Sequence, residues 1–292
     1  MTNSPSISQI THKDIVKGLR KLGLTQGMGV MVHSSLKSFG FVKGGAQTVI
    51  KALMEVVTSE GTLMMPSFNH GVPFKEGGIG YYSPIETPTI NGIIPDTFWR
   101  MQGVYRSLNP THPFAAWGKN AQRYIKFHHR TLTMGPQSPM GLLYADGGFG
   151  LLVGVDYRVN TFHHVVEMSV GAPCLGLRTE AYPVLLPDGR KVEGRTWGWR
   201  EKSCPFTDSN RYGEEMKLRG LQKEIFIGNS RVILFKLSDC FKIIADFLKN
   251  GRDGFPPCKD CPVRPKYTSH TVPSDWNKEK QCLLSDLVAW TY

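Results

Sequence analysis

The chain has 292 residues, 40% of them hydrophobic and 11% aromatic, enough to bury a sizeable core as one large domain or two intimate ones. The formal net charge of +11 is scattered and not striped with aromatics, which argues against nucleic acid as a partner. No run of about 18 apolar residues offers a membrane span, and the six cysteines are too sparse for a disulfide scaffold.

Residues 1–9 are polar and give no sign of a secretory signal, so a cytoplasmic protein is expected. Thr11 and Asp14 have the spacing of a capping box, and Ile15, Leu19 and Leu22 recur at helical spacing up to Gly23. Gly29-Val30-Met31-Val32-His33 is an apolar run of strand length. A loop over 34–45 follows, and then a helix over 46–57 with Val49, Ile50, Leu53, Val56 and Val57 on its apolar face. A second apolar run, 61–65, is closed by Pro66-Ser67-Phe68. Strand, helix and strand in this order predict a βαβ unit and a parallel sheet. A helix is expected over 91–101 and a buried strand over 151–155. From Cys174 the texture changes, with a hairpin turning at Asp188-Gly189 and a helix over 238–249 capped by Ser238. The expected fold is α/β: a largely parallel central sheet flanked by helices over residues 1–173, and a smaller α+β portion over 174–292.

Three stretches carry chemistry. The loop after the first strand holds His33, Ser34, Ser35, Leu36, Ser38 and Gly40, and ends in Gly44-Gly45 at a helix start. Such glycines admit a ligand close to the backbone, and the helix N-terminus offers N–H groups to a phosphate; an ordinary Ser-capped turn reads the same way. It is neither a P-loop nor a dinucleotide fingerprint. The second stretch, 106–118, is a Pro- and Gly-rich loop carrying Ser107, Thr111 and His112, either a functional or a structural histidine. The third is Asn160-Thr161-Phe162-His163-His164-Val165-Val166-Glu167. On a helix His164 and Glu167 share a face, and a carboxylate beside an imidazole fixes its tautomer and steadies the imidazolium, as a general base requires. The alternatives are an inconsequential surface pair, or metal ligands drawn from His163, His164 and Glu167. Adjacent helix positions point about 100° apart, so no metal is expected there. Cys258 and Cys261 form a C-x-x-C that could join His270 and Cys282 around zinc, or be ordinary thiols.

Together and in this order, four segments resemble the aminoglycoside N(3)-acetyltransferase family: Val32–Leu36 with Gly44-Gly45, Ser107–Gly118, Gln137–Leu143 and Asn160–Glu167. Asp208-Ser209-Asn210-Arg211-Tyr212-Gly213 and Ile227-Gly228-Asn229-Ser230 look like it too. The resemblance covers roughly residues 8–250; no GNAT-type Arg/Gln-x-x-Gly-x-Gly/Ala motif is present. It implies acetyl-CoA as acetyl donor, lying along His33, Ser34, Ser35, Leu36, Ser38, Gly40, Gly44 and Gly45, with Ser107, Thr111 and His112 nearby. It implies His164 as base and Glu167 as its orienting partner. Asn69, Asn160, Asp208 and Glu214 would face a small-molecule amine, an aminoglycoside or another amino sugar, with residues 174–292 completing the acceptor site. Ser34, Ser35 and Thr111 are candidate oxyanion donors. The chain departs from the family at Asn109 and Pro113 in the loop, and at Arg158 and Val159, where members often carry an Asp. A homo-oligomer is compatible with the sequence. The competing reading is a non-catalytic CoA or anionic-ligand binding protein of the same fold.

Overall fold

The computed structural model describes residues 9–172, 180–196 and 203–261. The elements in chain order are β1 (Gln9–Ile10), α1 (His12–Leu22), β2 (Gly29–Ser34), β3 (Phe41–Val42), α2 (Gly45–Val57), β4 (Thr62–Pro66), α3 (Ile93–Trp99), β5 (Tyr105–Arg106), β6 (Phe114–Gly118), α4 (Ala121–Ile125), α5 (Pro139–Ala145), β7 (Phe149–Val153), α6 (Phe162–Val170), β8 (Glu180–Leu185), β9 (Lys191–Thr196), α7 (Arg211–Leu218), β10 (Gln222–Ile227), β11 (Ser230–Lys236) and α8 (Leu237–Asn250). Among the described residues no helix is long and apolar enough to cross a membrane.

One seven-stranded sheet runs in the order β10-β11-β7-β2-β4-β6-β5. Its centre, β7-β2-β4, is parallel, and β2-α2-β4 is the expected βαβ unit. Both flanks are antiparallel, so the α/β class holds while the sheet is mixed and not largely parallel. Within each flank, β10 with β11 and β5 with β6, consecutive strands are joined by a short return that pairs them antiparallel, while β11 on β7 and β6 on β4 join strands distant along the chain. β10 and β11 lie beyond residue 174 and extend the same sheet. β1 and β3 form a separate two-stranded parallel pair, and β8 and β9 pair as the expected hairpin turning through Asp188-Gly189.

Strand alternation builds two cores. Val30, Val32, Leu63, Met65, Leu151 and Val153 face a layer of α1, α2 and α3. Met31, Met64, Leu152, Ile233 and Phe235 face the opposite layer with α4 to α8. The three central strands are buried on both faces, which is why they read as unbroken apolar runs. His33 has the parity of Met31 and therefore points into the α6 layer.

The ends of the helices follow local rules. The capping box at α1 is present: Asp14 accepts from Thr11 N at 2.9 Å, and Gly23 ends the helix in the left-handed region. The expected Ser238 cap is not used. β11 passes straight into α8, Lys236 is the cap residue, and Leu237 N donates to Gly148 O at 3.1 Å. Gly154, at φ 66°, follows β7 where any Cβ would strike Ser38 Oγ. That absence of a side chain lets the end of β7 close against the loop after β2.

Candidate active site

The site forms beyond the carboxyl ends of the parallel strands, where ligands gather in open α/β sheets. His33 is the penultimate residue of β2; its Nε2 lies 3.1 Å from Thr161 Oγ1 and accepts from Thr161 N at 3.4 Å. This ties the end of the sheet to the start of α6. Asn160 Oδ1 accepts from Phe162 N at 3.3 Å, giving an exposed helix end an acceptor, and Gly171 at φ 69° ends α6.

On α6, His164 Nδ1 is 2.8 Å from Glu167 Oε2. Glu167 is fully buried, and its other oxygen accepts a hydrogen bond from the Thr207 hydroxyl. With both oxygens engaged, the carboxylate holds the proton of His164 on Nδ1 and leaves Nε2 as the basic atom. The His164 side chain is partly exposed, with 29% of it accessible. Asp208 sits across the site and accepts from Cys204 N at 2.6 Å.

Around the dyad the imidazoles are neutral. Burial pushes His33 and His112 down to about 3. Burial and the neighbouring His164 push His163 down to about 4, against the pull of Asp208 and Glu167. Local charge at the site thus comes from carboxylates, although the chain as a whole is basic.

His163 Nε2 lies 3.2 Å from His164 Nε2 and 3.3 Å from Asp208 Oδ1. The expectation that adjacent histidines diverge therefore fails: their Cα–Cβ bonds are offset, but side-chain torsions bring the ring nitrogens together. Among the described residues these three form the one cluster of metal-ligand type, their ligand atoms within 4.8 Å of one another, and its carboxylate is Asp208 and not Glu167. Cys258 opens a short 3-10 turn, Cys258–Asp260, that leads to Cys261; His270 and Cys282 lie outside the described residues.

The donor-loop residues fall as follows. Ser35 N donates to Val153 O at 2.9 Å, and Ser38 Oγ is 2.8 Å from Ser230 Oγ, fixing the loop to the sheet. Leu36 begins a 3-10 turn that Gly40 ends at φ 83°. Gly44 and Gly45 both have positive φ, 79° and 59°, and α2 starts there with no side-chain cap, leaving its N–H groups for a ligand. Ser34 Oγ is buried without a hydrogen-bond partner.

In the loop before β6, Asn109 Oδ1 accepts from Thr111 N at 3.2 Å and His112 N at 2.9 Å and so shapes the turn itself. Thr111 Oγ1 is 2.8 Å from His112 Nδ1, and the His112 ring meets Phe68 and His70 edge-on. Ser107 is buried against His128. Asn69 is buried and engaged with Pro110 O and Gly71 N, and Asn160 with Phe162 N and Cys240 Sγ. Both are spent inside the protein. Glu214 is exposed on the first turn of α7, and no contact brings it to the dyad. Thr207 carries no sequence signal: nothing in its neighbourhood marks it as the partner of a glutamate forty positions earlier.

The site thus holds a carboxylate-oriented, partly exposed imidazole beyond the ends of the parallel strands. The sequence profile of the aminoglycoside 3-N-acetyltransferase family matches residues 31–249, and the chain belongs to that family. It is an N-acetyltransferase. Aminoglycoside N(3)-acetyltransferase VIII of Streptomyces fradiae is 33% identical over 274 residues, covering 84% of this chain and 94% of that protein. The prophage-derived aminoglycoside N(3')-acetyltransferase-like protein YokD of Bacillus subtilis (strain 168) is 32% identical over 250 residues, covering 78% and 89%. The YokD crystal structure superposes with a TM-score of 0.73 at 30% identity over 83% of this chain and 94% of that one. That of a mutant of aminoglycoside acetyltransferase AAC(3)-IVa in complex with a gentamicin gives 0.70 at 26% identity, over 89% and 97%.

Proposed function

We propose that this enzyme transfers the acetyl group of acetyl-CoA to an amino group of an aminoglycoside or related amino sugar, with His164 as general base. The observation that carries this reading is the 2.8 Å contact of His164 Nδ1 with buried Glu167. An amine is protonated near neutral pH and must lose a proton to attack a thioester carbonyl. The Nε2 of His164 takes it, a step typically worth about 10²–10⁴-fold. The thiolate leaves readily, so the leaving group needs little help. The loop from His33 to Gly45, with the uncapped start of α2, suits the phosphates and pantetheine of the donor. Ser34 Oγ is a candidate donor to the oxyanion. Among the described residues no cysteine is hydrogen-bonded to His164, which favours direct transfer in a ternary complex.

For the acceptor, the support is the family, a relative crystallised with a gentamicin, and a carboxylate, Asp208, placed across from the base to meet an ammonium. The test is thiol release from acetyl-CoA against a panel of aminoglycosides and nucleotide-linked amino sugars. The expected result is turnover of at least one amine, lost in His164→Ala with CoA binding retained. CoA-induced thermal stabilisation without turnover of any amine would instead establish the binding-protein reading.

A further inference from the structure

His163 is the group at this site that the transfer chemistry leaves unused. It is buried, with 3% of its surface exposed, and its Nδ1 has no hydrogen-bond partner. Its Nε2 faces two acceptors at nearly equal distance: the basic nitrogen of His164 at 3.2 Å and Asp208 Oδ1 at 3.3 Å. The groups packed around it are His164 and Glu167 from α6, His33 from β2, Asp208 from the segment before α7, and Tyr212 from α7, its ring centroid 6.4 Å away.

A neutral imidazole carries one proton. On Nδ1 it would be a buried donor with no acceptor, and Nε2 would present a lone pair to another lone pair and to a carboxylate. On Nε2 it has two acceptors, and the orphan is only a lone pair, the cheaper deficit. The geometry therefore selects the Nε2–H form. A metal ion on Nε2 would drive the proton to Nδ1, where nothing receives it, so the arrangement fits a proton donor better than a ligand.

We infer that His163 is a positioning residue whose single Nε2–H is shared between His164 and Asp208, covering the base in the empty site and turning to Asp208 when an amine occupies it. This rests on His164 being the base. Both distances are long for a full hydrogen bond, as one proton divided between two acceptors requires. When the amine donates to His164 Nε2 it displaces the His163 N–H. Asp208 then takes that N–H, so uncovering the base strands no buried donor. A donor on the base nitrogen favours its unprotonated form. His163 thereby keeps His164 ready to accept a proton in the free enzyme and withdraws once substrate is in place.

Two measurements test this. Side-chain nitrogen NMR of the unliganded wild-type protein reads the tautomer directly and needs no turnover; Nε2–H is expected, and an Nδ1–H form overturns the proposal whether or not the enzyme acetylates any amine tried. The second is the pH profile of kcat/KM. In His163→Leu the acid limb moves up by about one pH unit, while kcat at saturating amine stays within about twofold because the donor has already turned away in the complex. His163→Gln supplies an amide N–H and keeps the wild-type limb. An acid limb unmoved in a folded His163→Leu, or moved equally in His163→Gln, refutes the sharing. If His163→Leu does not fold, the wild-type tautomer and His163→Gln decide.

Discussion

His164 and His128 are two imidazoles with similar equipment and opposite fates. Each has both ring nitrogens within reach of a polar atom. His128 Nε2 is 2.8 Å from Thr133 O, and a carbonyl only accepts, so this nitrogen carries the proton. Its Nδ1 then accepts from Ser107 Oγ at 2.9 Å, while Ser107 Oγ accepts from Phe114 N at 2.8 Å. The chain of donors and acceptors is closed, and burial pushes His128 down to about 3. His164 has a buried carboxylate on one nitrogen and His163 Nε2 at 3.2 Å from the other, in a ring that is partly exposed. A neutral partner on each side of a buried ring makes a pin for a loop; a charged partner and partial exposure are what the proposed base requires.

The largest effects come from breaking the base. His164→Ala should reduce acetyl transfer by about 10²–10⁴-fold with little change in melting temperature. Glu167→Gln keeps a hydrogen-bonding group beside Nδ1 but removes the charge and permits the wrong tautomer, so turnover should fall by about 10²-fold or more. Thr207→Val acts one step further out. It leaves a buried Glu167 oxygen short of a donor, costs about 1–3 kcal/mol of stability, and lowers turnover several-fold. Initial rates and denaturant midpoints on the same preparations separate the two quantities. A Glu167→Gln enzyme at wild-type speed would mean that the carboxylate merely packs.

His128 should answer in the reverse order. His128→Ala strands the Ser107 hydroxyl and the Thr133 carbonyl, at about 2–4 kcal/mol of stability. Turnover per folded molecule should change less than tenfold; urea unfolding beside a rate assay checks this, and a rate loss as large as that of His164→Ala would erase the contrast between the two rings. The buried histidines also set a pH dependence. His33, His112, His128, His129 and His163 sit at about 3–4 in the folded protein, against about 6.5 in an unfolded chain. The unfolded state therefore binds more protons below that value. Their contribution is fully present above pH 6.5 and is lost as pH falls toward 3. The melting temperature should drop steadily from pH 7 to pH 5, and one that holds level over that range would place these rings in contact with water.

How far the sequence could lead depends on which physics sets each feature. The central strands, the capping box at α1, the α2 unit and the His164–Glu167 pair rest on local periodicity and short spacing, and all are readable in the chain. The mixed sheet is not, because pairing direction at the flanks depends on which distant strands meet. Thr207, Asp208 and the His163 contacts join segments about forty residues apart, and no spacing encodes them. Asn69 and Asn160 carry a different ambiguity: an amide in a motif looks like a substrate ligand, and in the fold both are buried and accept from loop and helix-end N–H groups.

The smallest expected effect concerns Arg158, which lies in the turn leading to α6. Its guanidinium pairs with Asp156, two residues back, at 2.7 Å, and Arg158 N donates to Asp156 Oδ1 at 3.0 Å. Asp156 is held below the usual carboxylate range chiefly by that same guanidinium. The pair faces solvent, with 66% of the Arg158 side chain exposed, so its worth is at most about 1 kcal/mol and is screened by salt. The backbone contact, which shapes the turn leading to α6, survives any substitution at 158 other than proline. Arg158→Ala should thus leave turnover within about twofold and shift the urea midpoint by less than about 1 kcal/mol, whereas Asp156→Ala, which also removes the turn's acceptor, should cost more. Equal effects of the two substitutions would make the ion pair itself, and not the turn, the element that sets the approach to His164.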